Sequence, residues 1–302
     1  MRVLVTGATG YIGSAVVREL LGAGHQVIGL ARSETAAAAL SAVGADVHRG
    51  DLSDLDSLRA GAAAADGVVH AANQHISETV DPAARARIER NAVDSIGAAL
   101  EGSGRPFAFT SGTLGLTPGR LGTEADGGDL RGPGALRLPT EHAVIAMAER
   151  GVRSSAVRLA PLVHGEGDLR GFVPTLIGVA RAKGASAYVG DGANRWPAVH
   201  RLDAARLFRL ALESAPAGSR LHAIGDEGVP FREIAEAIAG RLGVPAVGVS
   251  AEDAVDHFGF LGPLVSIDNP ASSALTRQRL AWRPTRLPLI ADIEKGHYFN
   301  GR

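Results

Sequence analysis

The chain has 302 residues, 45% of them hydrophobic, with 31 basic against 32 acidic side chains, a formal charge of −1 and no cysteine. That length holds one or two hydrophobic cores. The absence of cysteine excludes disulfides, thiolate catalysis and cysteine-ligated zinc, and the balanced charge offers no field to nucleic acid or an anionic membrane. Aromatic residues are scarce, with two Trp, three Tyr and eight Phe, which restricts the proton donors the chain can present.

Read in chain order, short β-branched runs alternate with stretches of helical spacing. Strands are expected at 2–6, 26–30, 45–48, 67–71, 106–110 and 154–159, and helices at 11–22, 33–43, 55–62, 82–101 and 140–150. In the first helix Ile12, Val16, Val17 and Leu20 recur on one face, the period of an amphipathic helix. Strand and helix alternating at this interval define an α/β chain with a Rossmann-type, doubly wound parallel sheet. After Pro161 the pattern changes to helices near 173–183, 203–214 and 231–242, separated by short strands and many Gly and Pro turns. The expected division is a dinucleotide-binding domain over 1–160 and a smaller C-terminal substrate lobe over 161–302. The lobe is interleaved with the first sheet, which takes back a strand from around Val199 or Leu221. No window holds the roughly 18 uninterrupted apolar residues of a membrane span, and the N-terminus does not read as a signal peptide, so a cytoplasmic location is expected.

Thr6-Gly7-Ala8-Thr9-Gly10-Tyr11-Ile12-Gly13 places three glycines at G-x-x-G-x-x-G spacing between the first strand and the first helix. In such a turn Gly7 permits the tight reversal, Gly10 lets backbone approach a pyrophosphate, and Gly13 lets helix pack on strand. The amides from Thr9 through Gly10 and Tyr11 to Ile12 then face an anion at the positive end of a helix. The second strand ends Leu30-Ala31-Arg32-Ser33, with a cation and a hydroxyl where an NAD site carries an acid. Guanidinium and hydroxyl suit a 2′-phosphate, so NADP(H) is expected over NAD(H), although Glu34 next door is within reach of a ribose.

These residues carry a resemblance. The glycine turn, Asp51-Leu52 after the third strand, His70-Ala71-Ala72-Asn73 after the fourth and Thr110-Ser111-Gly112-Thr113 after the fifth resemble the extended short-chain dehydrogenase/reductases, an NAD(P)-dependent epimerase/dehydratase-like family. So do Asn91 in the helix between, the run Arg158-Leu159-Ala160-Pro161-Leu162-Val163-His164-Gly165, and the ending Leu280-Ala281-Trp282-Arg283-Pro284, where alanine stands at the family's usual glycine. The resemblance covers essentially the whole chain. It implies that Asp51 and Leu52 hold the adenine, and that Ala71, Ala72, Asn73 and the backbone of Pro161, Leu162 and Val163 flank the nicotinamide. From the residues alone, Asp51 could equally cap the helix near Ser53, and Asn91 could be a core amide.

The departure from the family lies at its catalytic pair, Tyr-x-x-x-Lys with a glutamate four residues past the lysine. With Glu141 as that glutamate, the lysine position is Arg137 and the tyrosine position is Pro133, and no tyrosine occurs between Tyr11 and Tyr188. The chain therefore resembles the family's atypical branch. An arginine can hold ribose hydroxyls, together with Thr110, and supply charge, but it stays protonated and cannot shuttle a proton. Replacement donors by position are Thr113 or Ser111 with a water, and the histidines His75, His142 and His164. An iminium substrate removes the requirement, since it already carries its proton and needs only orientation and electrostatic stabilisation.

Two functions follow. One is an NADP(H)-dependent oxidoreductase acting on a small carbonyl or imine; the other is a non-catalytic NADP(H)-binding redox sensor or regulatory protein. In the second half, Arg195 and Trp196 either line a substrate pocket or serve as surface ion pair and core residue. Histidines show no metal-binding spacing, so no metal is expected. A small-molecule substrate is the expected partner, with a homodimer by analogy and neither nucleic acid nor membrane.

Overall fold

The computed structural model describes residues 1–73 and 81–300. Its first half runs β1 (Arg2–Thr6), α1 (Tyr11–Gly22), β2 (Gln26–Ala31), α2 (Glu34–Ala42), β3 (Asp46–Arg49), α3 (Leu55–Ala63), β4 (Gly67–His70), α4 (Pro82–Leu100), β5 (Pro106–Gly112), α5 (Leu138–Ala146) and β6 (Arg153–Leu159). The second half adds β7 (Leu162–His164), α6 (Phe172–Lys183), β8 (Ser186–Val189), β9 (Arg195–His200), α7 (Arg201–Ser214), β10 (Ser219–Ala223), β11 (Asp226–Pro230), α8 (Phe231–Leu242) and β12 (Ala246–Val249). Four short helices follow: α9 (Ala254–Phe258), α10 (Gly262–Val265), α11 (Ala274–Leu280) and α12 (Leu289–Glu294).

Seven strands pair in the order β10-β6-β5-β4-β1-β2-β3, each pairing parallel. The strand order reverses between β1 and β4, and in open α/β sheets ligands bind outside the carboxyl ends of the strands at such a point. Of the two candidates for a returning strand, Leu221 joins this sheet through β10, pairing with Val157. Val199 does not; it pairs with Val163 in a separate three-stranded sheet, β11-β9-β7. The helix expected from residue 33 starts at Glu34 because the Ser33 side chain is its cap, accepting from the Ala36 amide at 3.1 Å.

Strand alternation sorts the apolar side chains onto two faces. Val3 and Val5 pack with Val16, Val17 and Leu20 of α1 and Phe208 of α7, whereas Leu4 points the other way, onto Leu58 of α3 and Ile96 of α4. Fully burying a side chain of this size stabilises the fold by about 1.5–3 kcal/mol, so the sheet is held firmly from both sides. A third core around Trp196, Phe231 and Phe258 holds the C-terminal elements. Trp282 anchors the chain end from a fully buried position, its indole N–H donating to the Asp203 carbonyl at 3.0 Å. One residue earlier, Ala281 sits at φ 50°, the left-handed region where glycine is the unstrained choice.

Candidate functional site

Strand polarity brings the sequence motifs together. Since all seven strands are parallel, the segments after β1, β2, β3, β4, β5 and β6 emerge at the same edge. Thus Gly7–Gly13, Arg32-Ser33, Asp51-Leu52, Ala71–Asn73, Thr110–Thr113 and Pro161–Val163 share one rim.

The glycine turn shows why each glycine is there. Gly7 has φ 67°, and a Cβ on it would lie 2.7 Å from the Ala72 amide nitrogen, so the turn is pressed against the end of β4. A Cβ on Gly13 would lie 2.0 Å from the Gly7 carbonyl oxygen, which fixes the close approach of α1 to the turn. At Gly10 the corresponding atom would meet only the Gly7 oxygen, at 3.1 Å, and Gly10 itself is exposed. The Gly10 amide is spent on the Gly7 carbonyl at 2.9 Å, correcting the expectation that it faces an anion. Gly10 caps α1 without a side-chain hydrogen bond, so the first-turn amides of Tyr11 and Ile12 remain free of intrahelical partners, with no acid in that turn. A bare helix N-terminus beside an open glycine fits a pyrophosphate.

At the end of β2, Arg32 is exposed and makes no ion pair among the described residues. Glu34, the acid that could have reached a ribose, is instead held by Arg49 at 2.6 Å. Asp51 accepts from the Ser53 hydroxyl at 2.6 Å and the Ser53 amide at 2.7 Å; these bonds hold its carboxyl below the usual range, and the Arg32 charge adds to the effect. The cap of α3 is Asp54, not Asp51. Leu52 packs on the core beneath.

Arg137 does not enter the site as a free cation. Its guanidinium makes a two-point contact with Glu89 of α4, at 2.6 and 3.2 Å, and donates to the Thr110 carbonyl at 2.6 Å. Glu89 was missed by the sequence reading, which singled out Asn91; Asn91 is exposed, while Glu89 lies on the buried face with Ala92, Val93 and Ile96. Below this pair His70 is fully buried, its Nδ1 within 3.0 Å of the Thr6 hydroxyl; burial holds its pKa down at about 4, so the ring is neutral at pH 7.

The candidate donors separate clearly. Thr113 is buried at the start of a short 3-10 turn, and its hydroxyl has no hydrogen-bond partner among the described residues; the Thr110 hydroxyl is in the same state. A buried hydroxyl left unpaired is exceptional in a folded protein and marks a place where a catalytic role or a bound water belongs. Ser111 faces away from the rim, its hydroxyl donating to Glu141 at 2.6 Å. Burial opposes ionisation of Glu141, yet Arg158, fully buried at 2.6 Å, outweighs it and holds the carboxyl below its usual range. His142 projects from the exposed side of α5 and reaches the Gly127 carbonyl at 2.8 Å. His164 is bonded to Asp292 at 3.0 Å inside the C-terminal half, and His75 lies outside the described residues. Neither Ser111 nor His142 is therefore retained as a donor.

The tyrosines offer no substitute. Tyr11 donates to the Gly165 carbonyl at 3.0 Å, and its phenol is pushed far up by burial and the Asp168 charge. Tyr298 accepts from the Gly165 amide at 2.8 Å, and burial raises its phenol likewise. Tyr188 lies on β8 under Arg232. Trp196 is a core residue, its indole N–H donating to the Ile267 carbonyl, and Arg195 forms an ion pair with Asp268 at 2.8 Å.

Sequence comparison agrees with this architecture. The NAD dependent epimerase/dehydratase family matches residues 3–224, and the chain belongs to that family. It is 49% identical over 300 residues to an uncharacterized protein of Schizosaccharomyces pombe, covering 99% of this chain and all of the relative. It is 30% identical over 262 residues to the 2-alkyl-3-oxoalkanoate reductase of Stenotrophomonas maltophilia, covering 82% of this chain and 77% of that enzyme. Among solved structures, dTDP-glucose 4,6-dehydratase from Streptomyces venezuelae, with NAD bound, superposes with a TM-score of 0.78 at 22% identity, over 98% of this chain and 96% of the other. The chain is thus an oxidoreductase-type protein of a family that binds nicotinamide dinucleotide. No helix among the described residues is long and apolar enough to cross a membrane.

Proposed function

We propose that the protein is an NADP(H)-dependent reductase that delivers hydride to a small carbonyl or imine without a tyrosine–lysine relay. The observation that carries the cofactor half is the rim itself: a bare α1 N-terminus over open Gly10, with unpaired Arg32 beside Ser33 and the neighbouring acid diverted to Arg49. The amides of Thr9, Tyr11 and Ile12 would hold the pyrophosphate, packed through Gly7 and Gly13. Arg32 and Ser33 would hold a 2′-phosphate, and Asp51 and Leu52 the adenine. Ala71, Ala72, Asn73, Pro161, Leu162 and Val163 would flank the nicotinamide, with Thr110 and Arg137 at its ribose and residues 161–302 closing over the substrate. Bound there, the dinucleotide would supply the hydride.

The protein's own chemistry rests on Thr113. Its unpaired hydroxyl can donate a hydrogen bond to a substrate oxygen or nitrogen, which orients the acceptor and stabilises charge that grows on it. Threonine is too weak an acid to give up its proton alone, so a ketone takes its proton from water passed through this hydroxyl. An iminium needs none: the C–H bond forms as the C=N π pair moves to nitrogen. Arg137, neutralised by Glu89, positions the rim and leaves little net charge near the reacting centre. The similarity to the 2-alkyl-3-oxoalkanoate reductase of Stenotrophomonas maltophilia supports the same reaction type.

The test is NADPH consumption across a panel of cyclic imines, ketones and enones, for wild type and Thr113→Val. Turnover on at least one class, reduced about 10–100-fold in the variant at unchanged NADPH affinity, supports the assignment. Tight NADPH binding with no turnover on any class would replace it with the sensor reading.

A further inference from the structure

We infer that the cleft between α1, the start of α7 and the C-terminal segment is a second small-molecule site, which takes a phosphate-bearing anion. The cleft has a volume of about 950 Å³ and is lined by Arg18, Arg201, Arg286 and Lys295, with His200 and Ser14 among the neighbouring groups. None of the dinucleotide residues assigned above lines it, and Ser14, next after Gly13, marks its near edge. The cleft adjoins the glycine turn through Arg201, whose guanidinium lies over the Tyr11 ring at 4.6 Å.

The charge count points to the ligand. Four permanent cations face the cleft against two carboxylates, Glu166 and Asp292. Asp292 is buried and already engaged by His164 at 3.0 Å, so it does little to neutralise the arginines. Among the described residues Arg18, Arg286 and Lys295 make no side-chain ion pair, and Arg201 spends one N–H on the Glu166 carbonyl at 2.9 Å. The formal excess of at least two positive charges suits a phosphate monoester, which carries about −1.5 to −2 near pH 7. Guanidinium forks fit its oxygens in pairs. A neutral donor completes the set: His200 uses Nδ1 to accept from the Leu202 amide at 3.2 Å, which puts the ring proton on Nε2. The N-terminus of α7, fourteen residues long, adds its positive dipole end.

The experiment keeps the dinucleotide site filled. Protein saturated with NADPH is titrated with inorganic phosphate, and separately with citrate, at constant ionic strength, following the melting temperature. The same titrations are run on Arg286→Ala/Lys295→Ala, two exposed positions whose truncation opens no core. We expect a saturable rise with phosphate, apparent affinity reduced at least about tenfold in the double variant, and NADPH affinity unchanged. No saturable response, or one the double variant preserves, overturns the site. A citrate response equal to that of phosphate overturns the phosphate assignment.

Discussion

Gly10 and Gly13 lie three residues apart in one turn, yet the structure gives their alanine variants opposite consequences. Gly10 has φ −74° and ψ 172°, a conformation open to any residue, and an added Cβ meets a single atom at 3.1 Å. Gly10→Ala should therefore cost less than about 1 kcal/mol of stability, the loss expected at a helix cap. Its methyl group, however, occupies the space an approaching phosphate needs. Losing one or two hydrogen bonds to a charged group is worth about 1.5–3 kcal/mol, so NADPH affinity should fall about 10–100-fold. At Gly13 the methyl group would sit 2.0 Å from the Gly7 carbonyl oxygen, a contact that only a shift of α1 can relieve. The helix-propensity gain of about 1 kcal/mol is smaller than overpacking costs of about 1–3 kcal/mol plus the backbone displacement. Gly13→Ala should lose about 2 kcal/mol and melt about 3 °C lower, with cofactor binding lost as well. Thermal melts and NADPH fluorescence titrations on both variants measure the two effects separately. Wild-type NADPH affinity in Gly10→Ala would refute the placement of the anion, and an unchanged melt for Gly13→Ala would refute the close approach.

Arg32→Glu should lower NADPH affinity about 10–100-fold and change NADH affinity by less than about threefold; parallel losses for both would remove Arg32 from the 2′-phosphate. Glu141→Ala strands the fully buried Arg158, and denaturant melts should show a loss of about 3–5 kcal/mol; a loss under about 1 kcal/mol would mean the pair is not shielded from water. Ala281→Gly removes a left-handed alanine and should raise the melting temperature by about 1 °C, a gain of about 0.5–1 kcal/mol, whereas a lower melting temperature would deny the strain. His70 and His222, both held at about 4 chiefly by burial, resist protons that the unfolded chain takes up below about 6.5. Stability should be complete above about pH 6.5 and fall as pH drops towards 4, by up to about 3 kcal/mol per group; a flat profile of unfolding free energy over that window would contradict their neutral burial.

The grouping of the candidate site's segments at one edge was legible because its signals are local. The glycine spacing, Arg32-Ser33 and the rim segments each follow a strand within a few residues, and strand order then gathers them at one edge. Glu89 was legible in principle: it continues the buried face of Ala92, Val93 and Ile96, a phase that excludes Asn91. The Ser111–Glu141–Arg158 lock was not, since it depends on α5 packing against β5 and β6. Nor was the choice between Val199 and Leu221 as the returning strand, for both runs are apolar and only tertiary pairing separates them. The cationic cleft draws on residues from Ser14 to Asn300, a separation no motif spans.

The central claim is that this rim both holds NADPH and hands on its hydride without a tyrosine. Transfer of deuterium from NADPH dideuterated at C4 to a carbonyl or imine carbon, read by mass spectrometry of the product, tests it most directly. The account predicts one deuterium per reduced molecule, with transfer depressed in Thr113→Val. Label that stays in bound dinucleotide across carbonyl and imine acceptors alike would contradict it.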